Sequence, residues 1–143
     1  LDADGDVDAV VSSTNGGTIR WENNGAGTFS SPQTLSTIEA FHPAAGDLDG
    51  DGTDDIVLRN QVDGRNWAYL MKDGQIETST LINQVADLNW EIGNIGDYDG
   101  DGKVDFMWRN ETTTRNLIHL MNGTAIKDRG VLRPTDNTWK VAK

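Results

Sequence analysis

Short apolar runs alternate with breaks rich in glycine and aspartate along the whole chain. Three runs occupy matching places: Asp8-Ala9-Val10-Val11, Asp55-Ile56-Val57-Leu58-Arg59-Asn60 and Asp105-Phe106-Met107-Trp108-Arg109-Asn110. They are brief and rich in β-branched and aromatic residues, which predicts strands. A second run follows each: Ile19-Arg20-Trp21-Glu22, Ala68-Tyr69-Leu70-Met71 and Ile118-His119-Leu120-Met121. These end at Asn24-Gly25, Asp73-Gly74 and Asn122-Gly123. Such dipeptides tolerate positive φ at both centres of a tight turn, so each predicts a hairpin. Third strands are expected near 31–35, 75–82 and 124–132, and further ones near 41–45 and 90–95. In the second runs, Ile19, Ala68 and Ile118 read as one equivalent position, with Trp21, Leu70 and Leu120 two residues on. Both positions are apolar in every copy, as an inward face with a period of two requires. Arg20, Tyr69 and His119 between them differ in character and read as a position without a shared packing demand. Sixteen glycines and frequent turn dipeptides break every candidate helix.

The pattern recurs about every fifty residues, with repeats at approximately 1–46, 47–96 and 97–143. Four antiparallel strands per such period is the signature of a propeller blade. The expected fold is therefore all-β: about three four-stranded antiparallel blades, in permuted order, with the first strand of each blade joined to the second by an aspartate loop. Asn137-Thr138-Trp139-Lys140-Val141 echoes Leu88-Asn89-Trp90-Glu91-Ile92. The array is accordingly expected to be cut inside a repeat at both ends. Three blades are too few to close a ring, which takes four to eight. Further blades in a longer parent protein, or self-association through open blade edges, would supply the rest.

The loops carry the candidate chemistry. Asp47-Leu48-Asp49-Gly50-Asp51-Gly52-Thr53-Asp54-Asp55 recurs as Asp97-Tyr98-Asp99-Gly100-Asp101-Gly102-Lys103-Val104-Asp105. A third copy, Leu1-Asp2-Ala3-Asp4-Gly5-Asp6-Val7-Asp8, lacks the residue at loop position 1. Carboxylates at positions 1, 3, 5 and 9 form a cage of hard oxygen ligands suited to Ca2+. Four such groups within a few ångströms repel one another unless a cation lies among them. An EF-hand would need Glu at position 12 and flanking helices. Leu58 and Trp108 stand there, within strands, so the EF-hand is rejected.

The net charge is −11, and thirteen of the 23 acidic residues lie in these loops: Asp2, Asp4, Asp6, Asp8, Asp47, Asp49, Asp51, Asp54, Asp55, Asp97, Asp99, Asp101 and Asp105. The charge is thus local, and phosphate binding, which needs clustered Lys and Arg, is excluded, leaving no nucleic-acid partner. No apolar run is long enough to span a membrane. The absence of cysteine excludes disulfides, thiol catalysis and Cys-ligated zinc. His42 and His119 lie in different copies with no nucleophile motif beside them, so no catalytic residue is assigned. Of the five tryptophans, Trp21, Trp90 and Trp139 recur at packing positions. Trp67 aligns with Leu117 and is the candidate for ligand contact, aromatics being common at binding surfaces. Arg59 and Arg109 recur with Asn60 and Asn110 and are expected to partner carboxylates or carbonyls of their own blades. Asn110-Glu111-Thr112 and Asn122-Gly123-Thr124 fit the N-glycosylation sequon, which matters only in a eukaryotic source.

Gly46-Asp47-Leu48-Asp49-Gly50-Asp51-Gly52 with Asp55-Ile56-Val57, and Gly96-Asp97-Tyr98-Asp99-Gly100-Asp101-Gly102 with Asp105-Phe106, resemble the FG-GAP/VCBS repeat family. Trp108-Arg109-Asn110 and Leu120-Met121-Asn122-Gly123 resemble it too. The resemblance implies a β-propeller with calcium in its blade-edge loops. Position 7 (Asp6, Thr53, Lys103) would give a backbone carbonyl, which leaves its side chain free to vary. The first loop, without its position-1 Asp, is expected to be weak or empty. Such propellers occur in integrin α heads, in secreted adhesins and lectins, and beside polysaccharide-degrading domains. The resulting expectation is a secreted or cell-surface, non-enzymatic, calcium-stabilised segment serving cell adhesion or carbohydrate binding, its partner a glycan or an extracellular protein. The alternatives are an accessory propeller of a secreted polysaccharide-active enzyme and a purely structural, self-assembling repeat unit.

Overall fold

The structure, a computed structural model, describes residues 4–5, 7–13, 17–37 and 41–133, with the side chains of Ser36, Phe41 and His42 outside that description. Eleven strands follow one another: β1 (Ala9–Ser13), β2 (Gly17–Trp21), β3 (Gln33–Ser36), β4 (Phe41–Gly46), β5 (Asp55–Arg59), β6 (Arg65–Lys72), β7 (Gln75–Gln84), β8 (Trp90–Gly96), β9 (Asp105–Asn110), β10 (Asn116–Asn122) and β11 (Ala125–Leu132). They form three antiparallel sheets in the orders β1-β2-β3, β4-β5-β6-β7 and β8-β9-β10-β11. The sheets are blades of a propeller that do not close into a ring. Each complete aspartate loop joins the first strand of a sheet to the second, as the repeat predicts, and no described residue is helical. The Trp139 echo lies outside the described residues.

The middle sheet is packed on both faces. Ile56, Leu58, Tyr69 and Met71 form one cluster with Val10 and Leu35 of the first sheet against it. On the opposite face Val57, Ala68 and Leu48 join Phe106, Trp108 and Met121 of the third sheet. Neighbouring residues in β5 are therefore all buried, each serving a different blade boundary.

Strand pairing corrects the alignment of the first copy. Val57 lies opposite Ala68 and Met107 opposite Ile118. Val10, which stands two residues after its loop as they do, lies opposite Arg20 and not Ile19. Arg20 is thus the counterpart of Ala68 and Ile118, and Trp21 that of Tyr69 and His119. A side-chain contact gives the same offset: Asp8, Asp55 and Asp105 accept N–H bonds from Asn23, Met71 and Met121 respectively. The first copy is one residue shorter between loop and second strand, which inverts its faces. The expectation that Arg20, Tyr69 and His119 carry no packing demand is overturned as well, because all three are buried. Alternation within one copy could not show this, since it does not tell which face meets the neighbouring sheet.

The hairpin turns divide. Asp73 and Gly74 sit at φ 46° and 72°, between the paired Lys72 and Gln75, as expected. In the third copy Asn122 pairs with Ala125, so Gly123 and Thr124 form the turn, one residue later than Asn122-Gly123. In the first, residues 24–28 make a wider loop closed by Asn24 N–H to Thr28 O at 3.1 Å.

Candidate metal centres

Both complete loops are wound by their own carboxylates. Asp47 Oδ1 accepts the Gly50 N–H at 2.6 Å and the Asp51 N–H at 3.1 Å, and its Oδ2 accepts the Gly52 N–H at 2.9 Å. Asp97 does the same with Gly100, Asp101 and Gly102 at 2.6, 3.2 and 2.9 Å. Asp51 Oδ1 takes the Thr53 N–H at 2.8 Å and Asp101 Oδ1 the Lys103 N–H at 3.0 Å, turning the carbonyls of position 7 with the loop. Gly50, Gly52, Gly100 and Gly102 all have φ between 80° and 91°, a region closed to most side chains.

The ninth-position aspartates anchor each loop to its sheet. Asp55 is fully buried. Its Oδ2 accepts Leu48 N–H at 2.9 Å and its Oδ1 accepts Met71 N–H at 2.8 Å. Asp105, equally buried, holds Tyr98 N–H and Met121 N–H, each at 2.8 Å. Each oxygen keeps a second lone pair for a cation. Burial pushes the Asp55 carboxyl up to about 6; the Met71 and Leu48 N–H groups oppose this, and the charges of Asp49 and Asp51 add to it.

The carboxylate oxygens of Asp47, Asp49 and Asp51 lie within 4.8 Å of one another, as do those of Asp97, Asp99 and Asp105. Asp55 and Asp101 stand beside these sets. The donors are all hard oxygens, the chemistry calcium takes. One loop already accommodates a cation: Lys127 Nζ donates to Asp99 Oδ2 at 2.8 Å and Asp101 Oδ2 at 3.1 Å. That contact, ahead of the Lys103 N–H, lowers the Asp101 pKa. The residues present therefore fit a calcium ion. Of the first loop Asp4 and Asp8 are described, whereas Asp2 and Asp6 lie outside the described residues.

The other candidates have structural partners. Trp67 is half-buried against the Ile56, Leu58, Tyr69 and Met71 cluster, and its Nε1–H donates to Ser79 Oγ at 2.8 Å. Arg59 donates to the carbonyls of Gly64 and Val85, each at 3.0 Å. Arg109 pairs with Glu111 at 3.2 Å. Asn60 and Asn110 cap the following turns through their side-chain oxygens. His119 packs on Trp108 with ring centroids 5.5 Å apart. Both line a cleft of about 330 Å³ between the second and third sheets, with Trp90, Arg129, Asn83 and Gln84. Neither Lys127 nor this cleft was legible in the sequence, since each depends on residues that only the sheets bring together.

The sequence model of the FG-GAP-like repeat matches residues 1–58 and again residues 47–108. No curated protein and no solved structure matches the chain.

Proposed function

The chain belongs to the FG-GAP-like repeat family, and from that premise we propose that it is a calcium-stabilised segment of an extracellular β-propeller, working as a binding scaffold and not as an enzyme. The observation that carries this reading is the pair of loops, fifty residues apart in sequence, that each draw three carboxylates within 4.8 Å. Asp47, Asp49, Asp51 and Asp55 with the Thr53 carbonyl would hold one ion. Asp97, Asp99, Asp101 and Asp105 with the Lys103 carbonyl would hold the other. Calcium in such loops locks the blade edge, and the rigid blades present variable positions to a glycan or an extracellular protein. Millimolar calcium outside cells suits loops of this class, which supports a secreted or cell-surface setting. No helix among the described residues is long and apolar enough to cross a membrane. The cleft lined by Trp90, Leu117, Arg129, Asn83 and Gln84 offers a ligand one partly exposed aromatic wall and polar edges, a mix found in small-molecule sites. Trp67 is the second aromatic contact we assign.

Thermal unfolding of the wild type and Asp101→Ala, each in 1 mM calcium and in chelator, tests the metal. At a Kd of about 0.1 mM and calcium of about 1 mM, one site contributes about 1.4 kcal/mol. The variant is expected to melt about 3–6 °C lower in calcium and to lose clearly less in chelator, where only the exposed Lys127 and Lys103 contacts go. Equal losses in both conditions would mean that Asp101 serves only the apo fold. Glycan-array binding without product formation would support the scaffold reading, whereas cleavage of a polysaccharide would favour an enzymatic one.

A further inference from the structure

We propose that Lys127 is a tethered competitor for the 97–105 loop, its ammonium taking the place between Asp99 and Asp101 that a divalent ion would need, so that this loop binds calcium more weakly than the 47–55 loop. The inference rests on the calcium reading above and adds a ranking of the two sites.

Lys127 reaches the loop from β11, with its Nζ 2.8 Å from Asp99 Oδ2 and 3.1 Å from Asp101 Oδ2. Those are ligand positions 3 and 5. The pairing of Met121 with Ile126 in the third sheet matches that of Met71 with Ile76 in the second. Lys127, one residue on, is therefore the counterpart of Glu77. The repeat thus reverses charge at one position. Glu77 takes Lys72 as its partner at 3.4 Å. Among the described residues no Lys or Arg nitrogen makes an ion pair with Asp47, Asp49 or Asp51. The other nearby lysine of the second loop does not compete, because Lys103 Nζ turns away to Asn122 Oδ1 at 2.7 Å.

Calcium entering the 97–105 loop must break both Lys127 contacts and then tolerate or expel the ammonium. Calcium entering the 47–55 loop breaks no ion pair. Apparent affinity falls by the population of the paired state, since only the unpaired loop is competent. Two exposed ion pairs of ordinary strength correspond to about a tenfold difference. Lys127 is half exposed, so its replacement leaves the core untouched.

The test is a calcium titration of the full chain followed by 15N NMR, reading the Gly52 and Gly102 amides as reporters of the two loops. In the wild type, Gly52 is expected to reach its midpoint at about tenfold lower calcium than Gly102. In Lys127→Met the Gly102 midpoint should fall about tenfold and the Gly52 midpoint should stay. Glu77→Lys should do the converse, raising the Gly52 midpoint alone. As an independent readout, acetylation of Lys127 by a soluble anhydride should be slow in chelator and accelerate in calcium, as the amine is released. If both loops bind and Lys127→Met leaves Gly102 unmoved, the competitor role is overturned while the calcium reading stands. If neither amide responds in the wild type or in Lys127→Met, the calcium reading fails and the ranking falls with it.

Discussion

The Val104 N–H donates to the Asp47 carbonyl at 2.8 Å, so the second aspartate loop is hydrogen-bonded to the first residue of the loop before it. Val104 directly follows Lys103, whose carbonyl is assigned to the second ion. The two candidate metal centres are thereby linked by one backbone hydrogen bond across a blade boundary. The side chain of Val104 completes the contact by filling the space above Gly46.

Gly46 is required by that approach. A Cβ there would stand 2.8 Å from Val104 Cγ1 and 3.2 Å from Ile95 Cδ1, and a valine side chain is stiff about χ1. Gly46→Ala is expected to cost about 1–3 kcal/mol, the usual range for overpacking. At the equivalent Gly96 the nearest atom is Tyr98 Cζ at 4.0 Å, so Gly96→Ala should stay within about 0.5 kcal/mol. Urea denaturation of both variants decides this. Val104→Ala combined with Gly46→Ala should recover part of the loss.

Arg59 links blades through its guanidinium. It is buried and donates to Gly64 O, Asn66 Oδ1, Val85 O and Asp87 O at 3.0–3.4 Å. Its Cζ also lies 5.2 Å from the centre of the Trp108 ring in the next sheet. Arg59→Ala strands several carbonyls and removes a cation–π contact, and is expected to destabilise by about 3–5 kcal/mol. Arg59→Lys should recover little, because an ammonium lacks the planar fork that reaches these acceptors. Recovery of most of the loss by Lys in a chemical-denaturation series would show that charge alone suffices.

The parts that local chemistry dictates were legible in the sequence. The loops, the strand after each and the Asp73-Gly74 turn follow from residues adjacent in the chain. The register of the first copy was not, because Ile19 and Trp21 make a better apolar pair than Arg20 and Glu22, the residues that stand where Ala68 and Leu70 do. The buried guanidinium of Arg20 is held by Gln33 Oε1 at 3.0 Å and by Glu22, partners that only the folded sheet supplies. The burial of His119 was hidden for a related reason: its face of β10, with Leu117 and Met121, is the one that meets the second sheet, whereas the more apolar pair Ile118 and Leu120 stands on the other face. Lys127 escaped notice because it lies more than twenty residues from the carboxylates it meets.

His119 makes stability depend on pH. Burial, with a smaller contribution from Arg129, lowers its pKa below the ordinary 6.5. The unfolded chain therefore takes up the proton first. The contribution of neutral His119 is fully present above pH 6.5 and is lost as pH falls from there toward the folded value. Below 6.5 the loss approaches about 1.4 kcal/mol per pH unit until the folded group titrates. Asp55 acts in the opposite sense, so the measurement is the difference between the wild type and His119→Gln, in which Asp55 cancels. Urea midpoints from pH 7.5 to 5 should fall more steeply for the wild type. Parallel curves would mean that His119 takes up its proton equally in the folded and the unfolded chain.

On the calcium reading proposed above, Asp55 would tie ion binding to protons in the 47–55 loop. Its carboxyl titrates at about 6, held there first by burial and further by the charges of Asp49 and Asp51. The folded value is raised above the ordinary 3.8, so without metal the ionised form is penalised and the fold gains stability as pH falls through 6 toward 3.8. An ion among these carboxylates reverses the penalty by favouring the charged form. Binding at pH 6 should then release about half a proton from this loop, and binding at pH 8 essentially none. Calorimetric titrations in two buffers of different ionisation enthalpy measure that release directly. Asp55→Asn should abolish it while leaving the 97–105 loop able to bind. Buffer-independent heats at pH 6 in the wild type would place the ion away from Asp55 and reduce that residue to its other role, clamping Leu48 and Met71.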